Sequence, residues 1–182
     1  MLKLGILVGS VREGRRSVEI GRRFVDLCPR VGLDPVWIDL ADFELPMLKR
    51  RMDEEPEIPR DYERFEADIR SSDGILFVCP EYKGGIPGVL KNGLDLLPPQ
   101  VLRRLPVSVC SVSAGGVGGA QVLSQLRLVA LALGGCVTPE SLSVSRVADG
   151  LEENFDTRAM ALLEAMRFYM SAIARQKANA LM

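Results

Sequence analysis

Short apolar runs alternate with segments of helical spacing five times along this chain of 182 residues. The apolar runs predict strands at residues 2–9, 35–40, 74–79, 106–112 and 136–144, the last of them broken by Pro139. Each is followed by a predicted helix, at residues 17–28, 60–71, 87–97, 120–133 and from 156 to the C-terminus. The helix at 60–71 is charged on most of its surface. Strands that alternate with helices form a parallel sheet covered on both faces. The sequence therefore predicts an α/β fold, and its length fits one domain over residues 1–182.

Glycine-bearing turns follow three of these strands, at residues 9–17, 80–87 and 113–119. Glycine allows a tight turn and a close approach of the backbone to a ligand. If the strand order is 2-1-3-4-5, all three turns converge on one crevice at the carboxyl edge of the sheet, where ligands of such folds bind. This convergence, more than any single turn, predicts a ligand site.

The first turn has the chemistry of an anion site. Arg12 supplies a forked cationic donor, Ser10 supplies a hydroxyl, and Ser17 is expected to cap the helix that follows. Gly9 and Gly14 have the spacing of the glycines in a Walker A loop. However, Arg15 and Arg16 replace the lysine and the hydroxyl residue that such a loop needs. The dinucleotide fingerprint G-x-G-x-x-G is also absent. The alternative interpretation is an ordinary polar turn with arginines in solvent.

Charge and composition exclude several classes of function. With 23 basic and 24 acidic residues the net charge is −1, which argues against nucleic-acid binding by general electrostatics. The four cysteines are widely spaced and the chain has no histidine, so no metal site is expected. No apolar run approaches the length of a membrane span and no signal peptide is evident. The sequence therefore predicts a soluble, cytoplasmic protein with no membrane partner.

Two motifs resemble those of the NADPH-dependent FMN reductase family, flavodoxin-like proteins that include quinone, azo-dye and chromate reductases. They are Gly-Ser-Val-Arg at 9–12 and Pro-Glu-Tyr-Lys-Gly-Gly-Ile-Pro-Gly-Val-Leu-Lys-Asn at 80–92; the third turn is also similar, and the resemblance runs from residue 4 to about residue 135. It implies a flavodoxin-like three-layer sandwich with a five-stranded parallel sheet of order 2-1-3-4-5. It also implies a non-covalent FMN, NADPH or NADH as co-substrate, and a homodimer or homotetramer.

The resemblance also implies where FMN is held. The phosphate would contact Ser10, Arg12 and Ser17, with Arg15 or Arg16 at the rim. The rest of the cofactor would be lined by Pro80, Glu81, Tyr82, Lys83 and Gly84 on one side and by Ser113, Gly115 and Gly116 on the other. This chain departs from the family's usual asparagine at Lys83, and from its usual serine and asparagine in the phosphate loop at Arg15 and Ser17. Lys83 would stabilise a reduced anionic flavin, reach a phosphate of the nicotinamide cofactor, or point to solvent.

The resemblance implies an enzyme that passes a hydride from NAD(P)H through FMN to a small acceptor such as a quinone. The cofactor carries that chemistry, so no catalytic side chain is expected. Backbone amides at the start of the helix after Gly119 are expected to stabilise the negative charge of reduced flavin. Tyr82 is expected either on or beside the ring or in the core.

Two alternatives remain open from the sequence. A flavodoxin-type electron carrier is usually strongly acidic and has a large aromatic beside the flavin, whereas this chain is nearly neutral and its one tryptophan, Trp37, lies in the second strand. A regulatory module would keep the fold without useful catalysis. The helix at 87–97 and the C-terminal helix are candidate surfaces for oligomerisation, or they simply cover the sheet.

Overall fold

A computed structural model describes residues 1–179 of the chain. Its strands are β1 (Leu2–Val8), β2 (Leu33–Asp39), β3 (Gly74–Pro80), β4 (Pro106–Val112), β5 (Cys136–Val137) and β6 (Leu142–Val144). Its helices are α1 (Ser17–Leu27), α2 (Arg60–Arg70), α3 (Gly88–Leu96), α4 (Ala120–Ala132) and α5 (Phe155–Asn179). The predicted alternation of strands and helices is confirmed.

All strand pairs are parallel, and the sheet has the order β2-β1-β3-β4-β5. β5 pairs with the first two residues of β4, and β6 pairs with its last three, Cys110 to Val112. The two short strands therefore share the fifth position in the sheet. The break between them falls around Pro139, as predicted, because proline cannot donate a ladder hydrogen bond. The order 2-1-3-4-5 that the resemblance implied is confirmed.

Helices cover both faces of the sheet, which accounts for the continuous apolar runs of the central strands. α1 and α5 pack on one face, where the rings of Phe24 and Phe155 meet edge to face with centroids 5.8 Å apart. α2, α3 and α4 pack on the other, around Phe65 and Phe77. All seven residues of β3 and of β4 are buried, because a central parallel strand has no solvated side. The result is the three-layer sandwich of a flavodoxin-like fold.

Several predicted element ends are corrected by the structure. Ser17 is the first residue of α1 rather than its cap, because Arg16 occupies the capping position. The predicted strand at 74–79 is one residue longer, because Pro80 is the last residue of β3 and pairs with Val112. The segment between β2 and α2 is irregular apart from two short 3-10 turns. The prediction that the last helix continues beyond Asn179 lies outside the described residues. No helix within residues 1–179 has the length and apolarity needed to cross a membrane.

Candidate functional site

The three glycine-bearing turns meet at the carboxyl edge of the sheet, because β1, β3 and β4 run parallel and end side by side. They enclose a cavity of about 160 Å³, here called the carboxyl-edge crevice. Its lining comes from the first turn (Arg12, Arg15, Arg16, Ser17), the second (Pro80, Glu81, Tyr82) and the third (Ser113, Ala114), together with Val112 and Val147. The sequence predicted this convergence, and eight of the thirteen residues named for the site line the crevice.

The first turn is fixed by an ion pair to the neighbouring strand. Arg15 lies 2.6 Å from the carboxylate of Asp39, the last residue of β2, and the two side chains are only 16% and 5% exposed. Asp39 also accepts a hydrogen bond from the amide of Ala41, which holds its carboxylate in place. The Nε of Arg15 is buried without a partner in the protein. Asp39 therefore holds Arg15 in the crevice wall with one donor still unsatisfied.

Ser17 is the second buried donor of the crevice without a partner. Its residue is 1% exposed, and its hydroxyl makes no hydrogen bond within the protein. It lies at the start of α1, where backbone N–H groups have no partner in the helix and the helix dipole favours an anion. Buried polar atoms are nearly always satisfied in folded proteins, so an orphan here needs an explanation. An anion in the crevice supplies one.

Arg12 adds a cation to the lining of the crevice. It forms no salt bridge with any residue from 1 to 179, and its guanidinium lies 5.4 Å from the centre of the Tyr82 ring. Arg16, by contrast, pairs with Glu19 at 2.8 Å on an exposed part of α1. The crevice thus combines the guanidinium of Arg12, which has no carboxylate partner, with the free Nε of Arg15 and the free hydroxyl of Ser17. This set fits a phosphate group.

Ser10, for which the resemblance implied a phosphate contact, makes hydrogen bonds within the protein. It is fully buried, and its hydroxyl lies 2.7 Å from the hydroxyl of Tyr82 and accepts a hydrogen bond from the amide of Arg12. It does not line the crevice. In this structure Ser10 therefore ties the second turn to the first, and Tyr82 stands at their junction rather than in the core.

The second turn is a two-residue reversal with Lys83 and Gly84 at its centre. Their φ angles are +52° and +75°, and the amides and carbonyls of Tyr82 and Gly85 bond each other at 3.0 and 3.1 Å. Positive φ at both central residues is the type I′ geometry, which favours Asn-Gly and strains a lysine. The side chain of Lys83 is exposed, and neither Lys83 nor Gly84 lines the crevice. A Cβ on Gly84 would lie 2.8 Å from the side-chain oxygen of Gln121, so glycine also permits close packing on α4.

The third turn is held by the segment that follows β6. The amides of Arg146 and Val147 bond the carbonyls of Gly115 and Ser113, each at 3.1 Å. The Ser113 hydroxyl accepts the amide of Gly115 at 3.0 Å and helps to close the turn. Gly115 and Gly116 are exposed and do not line the crevice, whereas Ser113 does. The sequence reasoning missed Val147, because nothing local to it indicates that it returns to the third turn.

Glu81 overturns one expectation about the helix after Gly119. Its carboxylate accepts hydrogen bonds from the amides of Gln121 at 3.2 Å and Val122 at 3.3 Å. These amides at the start of α4 were expected to face reduced flavin. The structure assigns them to the chain's own carboxylate instead.

A larger cavity, of about 480 Å³, lies between α2 and the end of α3 and shares no lining residue with the crevice. Its wall is mainly apolar and includes Met52, Leu96 and the buried Tyr62, whose pKa is raised by burial and by Glu66. The cation on its rim, Arg51, is paired with Asp53 at 2.8 Å. This cavity offers apolar surface rather than an anion site.

The three buried cysteines do not provide an activated thiol. Cys28, Cys79 and Cys110 are buried, and burial raises the pKa of each thiol, that of Cys28 to about 12. Such thiols stay protonated and unreactive at neutral pH. In the part of the chain that the structure describes, no group of three potential metal ligands comes together.

Comparison with known proteins gives a family and a set of relatives. The family model for NADPH-dependent FMN reductases matches residues 2–149. The quinone reductase of Escherichia coli K12 is 31% identical over 131 residues, which cover 70% of this chain and 69% of that protein. A quinone reductase of Pseudomonas putida is 32% identical over 120 residues, 64% of this chain and 62% of that protein, so the match spans less than two thirds of the latter.

Solved structures agree with the fold. The flavoenzyme NAD(P)H:(acceptor) oxidoreductase FerB of Paracoccus denitrificans superposes with a TM-score of 0.79 at 22% identity, covering 94% of this chain and 98% of that one. A flavodoxin variant from Pseudomonas aeruginosa superposes with a TM-score of 0.59 at 21% identity, covering 93% and 99%. At these identities the likeness establishes a flavodoxin-like architecture.

Proposed function

We propose that this chain, which belongs to the NADPH-dependent FMN reductase family and is an oxidoreductase, holds FMN non-covalently in the carboxyl-edge crevice. It would use NADPH or NADH to reduce a small quinone-like acceptor. The observation that carries the proposal is the buried hydroxyl of Ser17, which has no partner in the protein and lies at the start of α1 in a crevice that three arginines also line. The names of the relatives, quinone reductases among them, support the choice of acceptor.

The first turn would hold the phosphate. Arg12 would neutralise its charge, Arg15 would donate through its free Nε, and Ser17 would donate its hydroxyl. Asp39 leaves Arg15 little freedom to reorient, so the donor is already in place before the ligand binds. A preorganised donor set raises affinity because less side-chain entropy is lost on binding.

The second and third turns would hold the rest of the cofactor. Pro80, Tyr82, Val112 and Val147 give this end of the crevice apolar walls. About 160 Å³ is well below the roughly 300 Å³ of pockets that enclose a drug-sized ligand. A ligand as large as FMN would therefore extend beyond the crevice and remain partly accessible to solvent. When bound, FMN supplies the chemistry by accepting a hydride and passing electrons on, and the chain supplies position and electrostatics.

Binding is tested by titrating the purified protein with FMN and following flavin fluorescence. Wild-type protein is expected to bind FMN, and Arg12→Met to bind it about 10- to 100-fold more weakly, since a hydrogen bond to a charged group contributes about 1.5–3 kcal/mol. Arg64→Met is the matched control, because Arg64 is an exposed arginine of α2 outside the crevice. Equal losses in the two variants would contradict the placement of the phosphate.

The acceptor is tested by steady-state oxidation of NADPH and of NADH, with and without a benzoquinone. Turnover that needs both FMN and the quinone is expected. A protein that binds FMN but oxidises neither nucleotide would instead fit an electron carrier or a regulatory module. The homodimer or homotetramer is a separate proposal, and light scattering of the purified protein decides it.

A further inference from the structure

α4 begins without a side-chain cap of its own. Its capping position is Gly119, whose φ is +74° and whose Cβ, if it had one, would lie 3.1 Å from the Cβ of Ser111. Helix starts usually satisfy the second and third amides with a Ser, Thr, Asp or Asn at the capping position. Gly119 cannot supply such a group, and the tight packing against β4 disfavours any replacement that could.

Glu81 supplies this cap from another turn of the sheet edge. Its carboxylate accepts the amides of Gln121 and Val122, the second and third residues of α4. Its own amide donates to the carbonyl of Val112 at 2.9 Å, which extends the β3–β4 ladder by one step. Glu81 is therefore held at its backbone by the sheet and at its carboxylate by the helix.

The second turn depends on this arrangement. Gln125 of α4 donates to the carbonyl of Gly84 at 3.1 Å, and Gln121 packs against the bare Cα of Gly84. Together with the bonds of Glu81, these contacts fix the turn that carries Tyr82 to the first two turns of α4. The turn and the helix form one unit in the crevice wall.

Glu81 also gives the crevice its electrostatic asymmetry. It is the one acidic residue among the eleven that line the crevice, whereas three arginines line the end formed by the first turn. The helix start carries only about half an elementary charge, so it compensates the carboxylate in part. The lining thus carries three arginines on the first turn and one carboxylate, that of Glu81, on the second.

We propose that the carboxylate of Glu81 weakens the binding of reduced FMN in the crevice more than it weakens the binding of oxidised FMN. This inference rests on the proposed function. A hydride from NAD(P)H brings two electrons and one proton to the ring, so NAD(P)⁺ leaves and the ring gains one negative charge. A fixed carboxylate in the same crevice repels that charge, and the effect grows as water is excluded. Reduced FMN therefore remains a stronger electron donor to the acceptor.

Two substitutions separate the charge of Glu81 from its cap. Glu81→Gln keeps an oxygen that accepts the α4 amides but removes the charge. Glu81→Asp keeps the charge but is shorter by one methylene and weakens the cap. Dissociation constants of oxidised and of photoreduced FMN are measured under anaerobic conditions for each, with urea unfolding of the ligand-free proteins alongside.

Glu81→Gln is expected to shift the ratio of the two dissociation constants about tenfold in favour of reduced FMN, which corresponds to roughly 30 mV for two electrons. Glu81→Asp is expected to keep the wild-type ratio and to unfold at a lower urea concentration. Glu63→Gln, an exposed carboxylate of α2, controls for net charge and is expected to change neither quantity.

An unchanged ratio in Glu81→Gln, or an equal shift in Glu81→Asp, would overturn the inference and leave the proposed function intact. Failure of wild-type protein to bind either form of FMN would overturn the proposed function, and the inference with it.

Discussion

Replacing Ser17 with alanine is expected to stabilise the ligand-free protein and, at the same time, to weaken its affinity for FMN. The two effects have opposite signs because the hydroxyl has no partner in the protein. A purely structural residue would not behave in this way, since its loss lowers stability and affects binding only through that loss.

General values for buried hydroxyls and hydrogen bonds give the size of both effects. A buried hydroxyl without a hydrogen bond costs about 1–3 kcal/mol, and its removal is expected to return about 1 kcal/mol of unfolding free energy. For a domain of this size that corresponds to a rise of about 2–4 °C in Tm. A hydrogen bond from Ser17 to a charged phosphate contributes about 2 kcal/mol, so its loss raises the Kd for FMN roughly thirtyfold.

Thermal unfolding of the ligand-free protein and FMN titration measure the two quantities on the same preparation. Ser108→Ala is the matched control, because Ser108 is also fully buried but its hydroxyl donates to the carbonyl of Glu140 at 2.7 Å. That variant is expected to lose about 1 kcal/mol of stability and to bind FMN normally. If Ser17→Ala instead lowers Tm and leaves the Kd unchanged, the hydroxyl has a structural role and the reasoning is refuted.

Lys83→Gly is expected to raise the free energy of unfolding by about 0.5–1 kcal/mol in urea titrations, because glycine adopts the φ of +52° without strain. A loss of stability would show that the Lys83 side chain holds the turn. Gly9→Ala is expected to cost about 1–3 kcal/mol by the same assay, because the new Cβ would lie 2.6 Å from a methyl carbon of Leu90. Gly88→Ala, which meets nothing within 4 Å, is its control, and equal losses would contradict the steric argument. Cys136 is expected to react with a thiol reagent in native protein, and the buried cysteines only after unfolding. Burial raises the pKa of the Cys28 thiol from 9.0 to about 12. The contribution of this thiol to the free energy of unfolding is therefore complete below pH 9, and it is lost as the pH rises towards 12, because the thiol then ionises in the unfolded chain first. A free energy of unfolding that stays constant across that range would argue against this.

The fold could be predicted because its determinants are local and periodic. Runs buried on both faces, such as residues 74–79, have no polar alternation, and the glycine turns mark where they end. The order of the strands required the resemblance, since alternation alone permits several right-handed topologies. The interrupted fifth strand was visible in the sequence because Pro139 cannot donate to a ladder.

The sequence predicted on which turn each site residue lies, but it did not predict where the side chain of that residue points. The direction of a side chain depends on partners that are distant in sequence. The hydroxyl of Ser10 forms a hydrogen bond with that of Tyr82, which lies 72 residues later, and Ser10 does not line the crevice. Glu81 accepts hydrogen bonds from amides 40 and 41 residues away, so these two amides of α4 already have a partner in the protein.

Asp39 is a residue that the sequence reasoning did not name although a signal was present. It is the last residue of β2, and in the order 2-1-3-4-5 that strand ends beside the first turn. An acidic residue at this point, opposite a turn with three arginines, predicts an ion pair to one of them. The structure shows that the partner is Arg15.

The visible absorption spectrum of the purified protein, recorded anaerobically after adding FMN and then NADPH, tests the central claim most directly. The account predicts flavin bands that remain with the protein after desalting and that bleach when NADPH is added. Bands that persist in NADPH and in NADH would contradict the reductase assignment and favour an electron carrier. Protein that is first saturated with FMN and then shows no flavin bands after desalting would contradict the cofactor site itself.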